Sequence, residues 1–493
     1  MRLVRLGVAL GLFGLLAAAT DTTELQTLID SLKANAIEGR CKAVVADAGR
    51  LGSLSLPEEF AEQIILSTEL LTVSCQYQLK APDKAVAAAR AALKRRPDNL
   101  EMSKVWLGSA LIAGRLDDAL EAMTLTIQGN PGDFSNVIEE DWVFDLLRQL
   151  RQNGRIADAE RLEVQLANSR YGEADSSLRD YFRQSAVKVA IAGGDIAKAE
   201  AVAAQIVSVS ILRNMLTEIA YRPIWEGLEQ AVGPGMSLAK ARALKAAEAE
   251  VEALGIAEQS PLAASAQTRL MQALWRSGRR EEALRVGADG FASPAALADA
   301  TQEGGWLVNA HAGLLAADGQ TDAAVRRFDA LADLGIESRP WLISMRINRA
   351  VLLLDHGRAK QLLGELNALE ADAGRYGSPY AEQLVRRLRI CALVADGQLE
   401  AANKLRADLL KHESDAPTAS IAALKCLGDE DAATKILVAS LADPQFSDTM
   451  VSGLQALLPE DDPKDDTLRP LLARAEVAAA YAKAGRDLPE SLR

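Results

Sequence analysis

Four cysteines, three histidines and one dense run of carboxylates are the residues whose types could do chemistry in this 493-residue chain. Cys41 and Cys75 lie 34 residues apart, and Cys391 and Cys426 lie 35 apart. In an oxidising compartment that spacing allows two bridges, whereas buried thiols would serve as small hydrophobes. We expect the bridge at Cys41–Cys75 and leave Cys391–Cys426 open. His311, His356 and His412 are scattered and no two cysteines are close, so no zinc site is expected. His356, directly before Gly357, reads as a helix-end residue. Asp461, Asp462, Asp465 and Asp466 lack the spaced glycine pattern of a calcium loop and read as a solvated connector. There is no Gly-x-Ser-x-Gly elbow, no His-Glu-x-x-His pair, no phosphate loop and no dinucleotide fingerprint. No reaction and no cofactor is expected.

The elements that must position these residues are announced by a ladder of glycines, each followed five residues later by a small apolar residue. The instances are Gly114/Ala119, Gly154/Ala159, Gly194/Ala199, Gly278/Ala283, Gly319/Ala324, Gly397/Ala402 and Gly428/Ala433, with Gly357/Leu362 in phase. The glycines are 40, 40, 84, 41, 38, 40 and 31 residues apart, which places a degenerate repeat near Gly235 and Ala241. A glycine that closes one helix in the left-handed conformation, with an alanine one turn into the next, describes a tight helical hairpin. One hairpin cannot bury its apolar face, so neighbours must stack. Alanine and leucine dominate and only 4% of residues are aromatic. The fold class is therefore all-α.

Two stretches carry a family resemblance. In residues 100–133, Trp106, Leu107, Gly114, Ala119 and Pro131 stand close to the signature positions of a tetratricopeptide repeat; in residues 66–99, Ala85, Ala92 and Pro97 match. The chain resembles a tetratricopeptide-repeat protein over these two repeats and more loosely elsewhere. Lys80 stands where the first repeat would have its turn glycine, Leu362 replaces a packing alanine, and Trp106 sits nearer mid-helix than usual. The resemblance implies a right-handed α–α superhelix of about ten to twelve hairpins with a concave groove that binds rather than catalyses. Residues 20–493 form the expected solenoid, with a distorted repeat over about 205–260 and a capping helix over about 468–484.

In that family the groove is lined by the first helix of each hairpin. Counting back from the turn glycines places Lys104, Arg148, Arg151, Gln184, Lys188, Gln272, Trp275, Trp306, Asn309 and Arg387 on this face, although Glu101 and Asp141 fall there too. The basic members imply focused positive potential and a protein or peptide partner carrying carboxylates.

Arg2 and Arg5 precede an apolar run from Leu6 to Ala19 that ends in small residues, which reads as a signal peptide over 1–19. Its removal takes the formal charge from −13 to −15. So acidic a chain disfavours nucleic acid and anionic membrane surfaces. The functional expectation is an exported, periplasmic or secreted, bacterial protein-binding scaffold without catalysis. The alternatives are a self-associating component of the envelope or a secretion apparatus, and the helical body of a cell-wall enzyme. The last needs a compact catalytic domain that the C-terminal stretch is too short and repeat-like to supply.

Overall fold

The structure is a computed structural model that describes residues 23–54, 56, 58–254, 261–332, 334–458 and 468–493. The segment read as a signal peptide and the acidic connector lie outside these residues. Among the described residues there is no β-strand, only one isolated bridge between Glu218 and Gly485. The chain is an all-α solenoid of tetratricopeptide-like helical hairpins. Its contacts divide it into two compact units, the first ending at Glu173 and the second running from Ala174 to Arg493.

The first unit contains four hairpins: α1 Thr23–Ile37 with α2 Cys41–Leu51, α3 Glu58–Gln78 with α4 Pro82–Arg95, α5 Leu100–Ile112 with α6 Leu116–Gly129, and α7 Glu140–Gln152 with α8 Ile156–Asn168. The second unit opens with α9 Ser176–Ala192, α10 Ile196–Ala203, α11 Val209–Thr217, α12 Trp225–Val232 and α13 Ser237–Leu254. Regular hairpins follow: α14 Pro261–Arg276 with α15 Arg280–Asp289; then, after the short α16 Pro294–Ala298, α17 Gln302–Ala317 with α18 Thr321–Ala332, and α19 Leu342–Asp355 with α20 Ala359–Tyr376. Next come α21 Pro379–Ala395 with α22 Leu399–Lys404 and α23 Arg406–Lys411, α24 Pro417–Cys426 with α25 Glu430–Ala442, α26 Ser447–Gly453 and α27 Ala475–Ala484.

Every turn glycine of the ladder is left-handed, with φ between 68° (Gly114) and 82° (Gly319). The residue after each glycine donates its N–H to the carbonyl five residues back, as Arg115 does to Ala110, Gln320 to Leu315 and Asp429 to Leu424, at 2.8–2.9 Å. This six-to-one bond satisfies a carbonyl that the helix end leaves open. The alanines that follow are fully buried from Ala119 to Ala433, and so is Leu362. Lys80 takes the glycine's place with φ 57°, and Ala81 makes the same bond to Gln76. Gly235 is left-handed as well, but it lies in a short 3₁₀ turn, Pro234–Met236, and the alanine packed behind it is Ala239, not the exposed Ala241.

The turns are tied to the preceding repeat by charge. Arg115 reaches Asp118 and Asp83, Arg155 reaches Asp158 and Asp117, and Arg279 reaches Glu282 and Glu248. Most of these pairs stand in solvent, where screening leaves them little net stabilising effect; Asp118 alone among the acids is buried. The first helices also stack directly on one another. A Cβ on Gly108 of α5 would lie 1.9 Å from the Trp142 ring of α7, and one on Gly305 of α17 would lie 2.3 Å from the Trp341 ring before α19. Glycine there makes room for an indole of the next hairpin. Trp106 is buried and donates to the Tyr77 hydroxyl at 3.2 Å, which donates to Asp118 at 3.1 Å, a polar chain that locks α3, α5 and α6.

Two disulfides join neighbouring hairpins: Cys41 of α2 to Cys75 of α3, with Cα atoms 4.9 Å apart, and Cys391 of α21 to Cys426 of α24, at 5.3 Å.

The C-terminal region is not a free cap. A 3₁₀ turn, Arg469–Ala473, precedes α27, and the residues after it return to the start of the second unit, where Leu488 and Leu492 are buried with Val187, Leu212, Tyr221, Ile224 and Val232. Of the stretch expected to be distorted, the described helices α11 and α12 carry the surface on which the last segment packs. The second unit closes on itself.

Two stability predictions follow from this local geometry. Lys80→Gly should raise stability by about 1 kcal/mol in denaturant titration, because a side chain in the left-handed region costs about 1–2 kcal/mol and glycine's extra unfolded-state freedom takes part of that back. Cys75→Ser should lower the stability of the first unit by about 4 kcal/mol, the chain-entropy value for a loop of this size, measured by urea titration against the parent under non-reducing conditions.

Candidate functional site

The residues that register arguments put on the inner face fall into two groups, one per unit. In the first unit each base meets an acid. Lys104 Nζ lies 3.1 Å from a Glu139 carboxylate oxygen, Arg148 pairs with Asp145 and donates to Gln152 at 3.0 Å, and Arg151 donates to the buried Glu163 at 2.6 Å. Asp145 is on the same helix as Arg148, Glu163 is on the hairpin partner of the Arg151 helix, and Glu139 stands just before α7, the first helix of the hairpin after that of Lys104. The pairing leaves no positive excess at these three residues, so the field that motivated an acidic partner is neutralised locally in this unit.

In the second unit the residues separate further. Trp275 of α14 is buried, with the Arg280 guanidinium 4.8 Å above its ring, so it packs rather than presents itself. Gln272 is half-buried one turn earlier on the same helix. On α17, Trp306 is 41% exposed and Asn309 accepts a hydrogen bond at 2.7 Å from Asn348 of α19. Arg387 of α21 is half-buried, and its Nε is enclosed without a hydrogen-bond partner. Burial pushes the Arg387 guanidinium below its usual range, against the opposing pull of Asp355 and Tyr380 nearby.

Asn309, Asn348 and Arg387 are spaced 39 residues apart and occupy matching positions on three successive first helices, α17, α19 and α21. Those helices pack one on the next. Trp306 stands one turn before Asn309, and Tyr380, 52% exposed, stands two turns before Arg387. Asn348 was missed by counting from glycines because it is nine residues before Gly357, not ten. The constant spacing of 39 is the signal that would have found it.

Gln184 and Lys188 of α9 belong to a different cluster, at the seam where the second unit closes. Lys188 Nζ donates to Asp448 at 2.8 Å, lies 3.6 Å from Glu218 Oε2 and sits 5.5 Å above the Tyr221 ring. Glu218 is 3% exposed and neither carboxylate oxygen accepts a hydrogen bond. Burial first, then the negative charge of Asp448, push its carboxyl up to about 7, with Lys188 pulling the other way. The Tyr221 hydroxyl is buried beside Gln184, and its pKa is raised well above the usual phenol value by the same burial. The Lys188 ammonium is raised above the ordinary lysine range by these two carboxylates in spite of its own burial. A carboxyl titrating near neutrality gives this seam a proton that can be gained or lost under mild conditions. Glu218, Tyr221 and Asp448 were not legible beforehand, because Asp448 is 260 positions from Lys188.

Among the described residues, no group of three or more histidines, cysteines or acids is arranged to hold a metal ion, and no helix is long and apolar enough to cross a membrane.

No protein-family model matches the chain, and no curated protein matches it. Among solved structures it is similar to the TPR domain of P58(IPK), at 12% identity over 83% of this chain and 99% of that one, with a TM-score of 0.17. It is also similar to a circular tandem repeat protein with a novel repeat topology, at 14% identity over 96% of this chain and 97% of that one, with a TM-score of 0.12. Scores this low leave the fold assignment to the hairpin geometry itself.

Glu218 gives a pH prediction whose sign is fixed. Its folded pKa is raised, so the folded state holds the proton more tightly than the unfolded chain, and the linked stability is complete below about pH 4.5 and lost as pH rises to about 7. Glu218→Gln keeps the neutral shape at every pH. The melting temperature of the variant relative to the parent should therefore rise between pH 4.5 and 7 and level off above; a difference that stays flat across that window would place the proton elsewhere.

Proposed function

We propose that this chain is an exported protein-binding scaffold that carries out no reaction of its own, and that its ligand is an extended protein segment laid across α17, α19 and α21. The observation that supports this reading most is the register-matched set Asn309, Asn348 and Arg387 on three stacked first helices. Side-chain amides both donate and accept, so two of them in series match the alternating N–H and C=O groups of an extended backbone. The Arg387 guanidinium, already largely desolvated and under-bonded, would gain most from a carboxylate, since charge-assisted bonds are the strong ones. The acidic character expected of the partner thus rests on one residue and not on a broad basic face. Trp306 and Tyr380 flank the set and offer rigid apolar area for side chains of the segment.

Export is supported by the apolar N-terminal run with its preceding arginines and by the two cysteine pairs, which sit at bridging distance as an oxidising compartment would require.

The test is selection of binding peptides from a random 12-residue library against the full chain, followed by titration. Asn348→Ala and Arg387→Ala should each weaken the selected peptides by about tenfold, or about 1.4 kcal/mol, with an unchanged circular dichroism spectrum. Peptides that bind both variants as tightly as the parent would move the function to another face.

A further inference from the structure

The segment that closes the second unit is held the way a peptide ligand is held. After α27 the backbone becomes extended at Gly485, with φ −165° and ψ −163°, and pairs antiparallel with Glu218. The Arg486 N–H donates to the Thr217 carbonyl at 2.8 Å. Its guanidinium donates to the Leu216 carbonyl through Nε at 2.8 Å and to Glu229 through Nη2 at 2.7 Å, and it lies 3.7 Å over the Trp225 ring. The Trp225 ring is itself fixed, because its Nε1 donates to the Met215 carbonyl at 2.9 Å. Gln455 bridges the two peptide units on either side of Asp487: its Nε2 donates to the Arg486 carbonyl at 3.1 Å and its Oε1 accepts from the Leu488 N–H at 2.9 Å. Leu488 and Leu492 are each 3% exposed, sunk into the apolar cluster of the unit's first helices. At Gly485, a Cβ would come within 2.6 Å of the Thr217 carbonyl oxygen, so the approach admits glycine alone.

These contacts are a short backbone bridge, a cation pocket with an aromatic floor and a carboxylate, an amide clamp across the two peptide units that flank Asp487, and apolar pockets for Leu488 and Leu492. They are the elements by which an edge captures an extended peptide. None of them requires the occupant to be covalently joined to α27. The geometry points to a peptide-binding site formed by Thr217, Trp225, Glu229 and Gln455, occupied in this structure by the chain's own Gly485–Leu492 segment, which a protein partner bearing an extended Gly-Arg-x-Leu segment displaces. This site is separate from the amide set on α17, α19 and α21, and neither depends on the other.

A labelled peptide of the sequence from Gly485 to Arg493, titrated against the full chain, tests this. The tail-weakened full chain, Arg486→Ala with Leu488→Ala, should bind the peptide at least about tenfold more tightly than the parent, which must first release its own segment. A peptide with alanine in place of the arginine that corresponds to Arg486 should bind that variant about tenfold more weakly, from loss of the charge-assisted bonds and the ring contact. In the parent at saturating peptide, hydrogen exchange at the amides of Arg486 and Leu488 should accelerate while the core of α17–α21 stays protected. The site is overturned if the folded variant fails to bind, or if the parent's two amides stay protected under saturating peptide. Should the variant not fold, the exchange measurement on the parent decides alone.

Discussion

The reversal between two helices, accomplished by one left-handed residue and one six-to-one hydrogen bond, is the constraint on which the architecture depends. It brings the second helix back against the first within a few residues. The backbones then approach closely enough that only alanine fits at most of the contacts, as the complete burial of Ala119, Ala159 and Ala324 shows. Hairpins this thin present flat apolar faces, and a flat face is covered by the next copy of itself. The indole-on-glycine contacts of Trp142 with Gly108 and Trp341 with Gly305 are the same requirement expressed between hairpins.

This explains why so much of the fold could be read from sequence. Left-handed backbone selects glycine and close approach selects alanine, so both leave a mark in the residue types themselves. Lys80 shows that the period carries information beyond the residue: the position was legible from its register although lysine is a poor occupant, and φ 57° confirms the turn. The stretch from 205 to 260 was legible only as an irregularity. The conformation of its described helices α11 and α12 answers to residues far away, for Glu229 is bonded to Arg486 across 257 positions. No local pattern reports a contact of that range.

The residues expected on the inner face can be placed on helices from sequence, but their chemistry cannot. Lys104, Arg148 and Arg151 lie on first helices, but the sign of a surface is a sum over neighbours. Glu139, which stands before α7, Asp145, one turn before Arg148 on the same helix, and Glu163, on α8, pair with those bases. Burial is equally invisible in a count. It separates Trp275, which packs, from Trp306, which is open, and it gives the Glu218 carboxyl its near-neutral titration, although the two tryptophans are the same residue type on equivalent helices.

Closure of the second unit has a consequence for how it comes apart. A linear array of repeats loses its outermost members first, because a terminal repeat has one neighbour and an internal repeat has two. With the 485–492 segment bonded to α11 and α12, the last helices of this unit are tied to its early ones. Opening any single hairpin then leaves its two flanks still joined the long way round, so partial loss recovers no freedom of the separated ends. Melting of this unit should be one sharp event rather than a progressive unzipping, and release of that one short segment would turn it back into an array that peels from its ends.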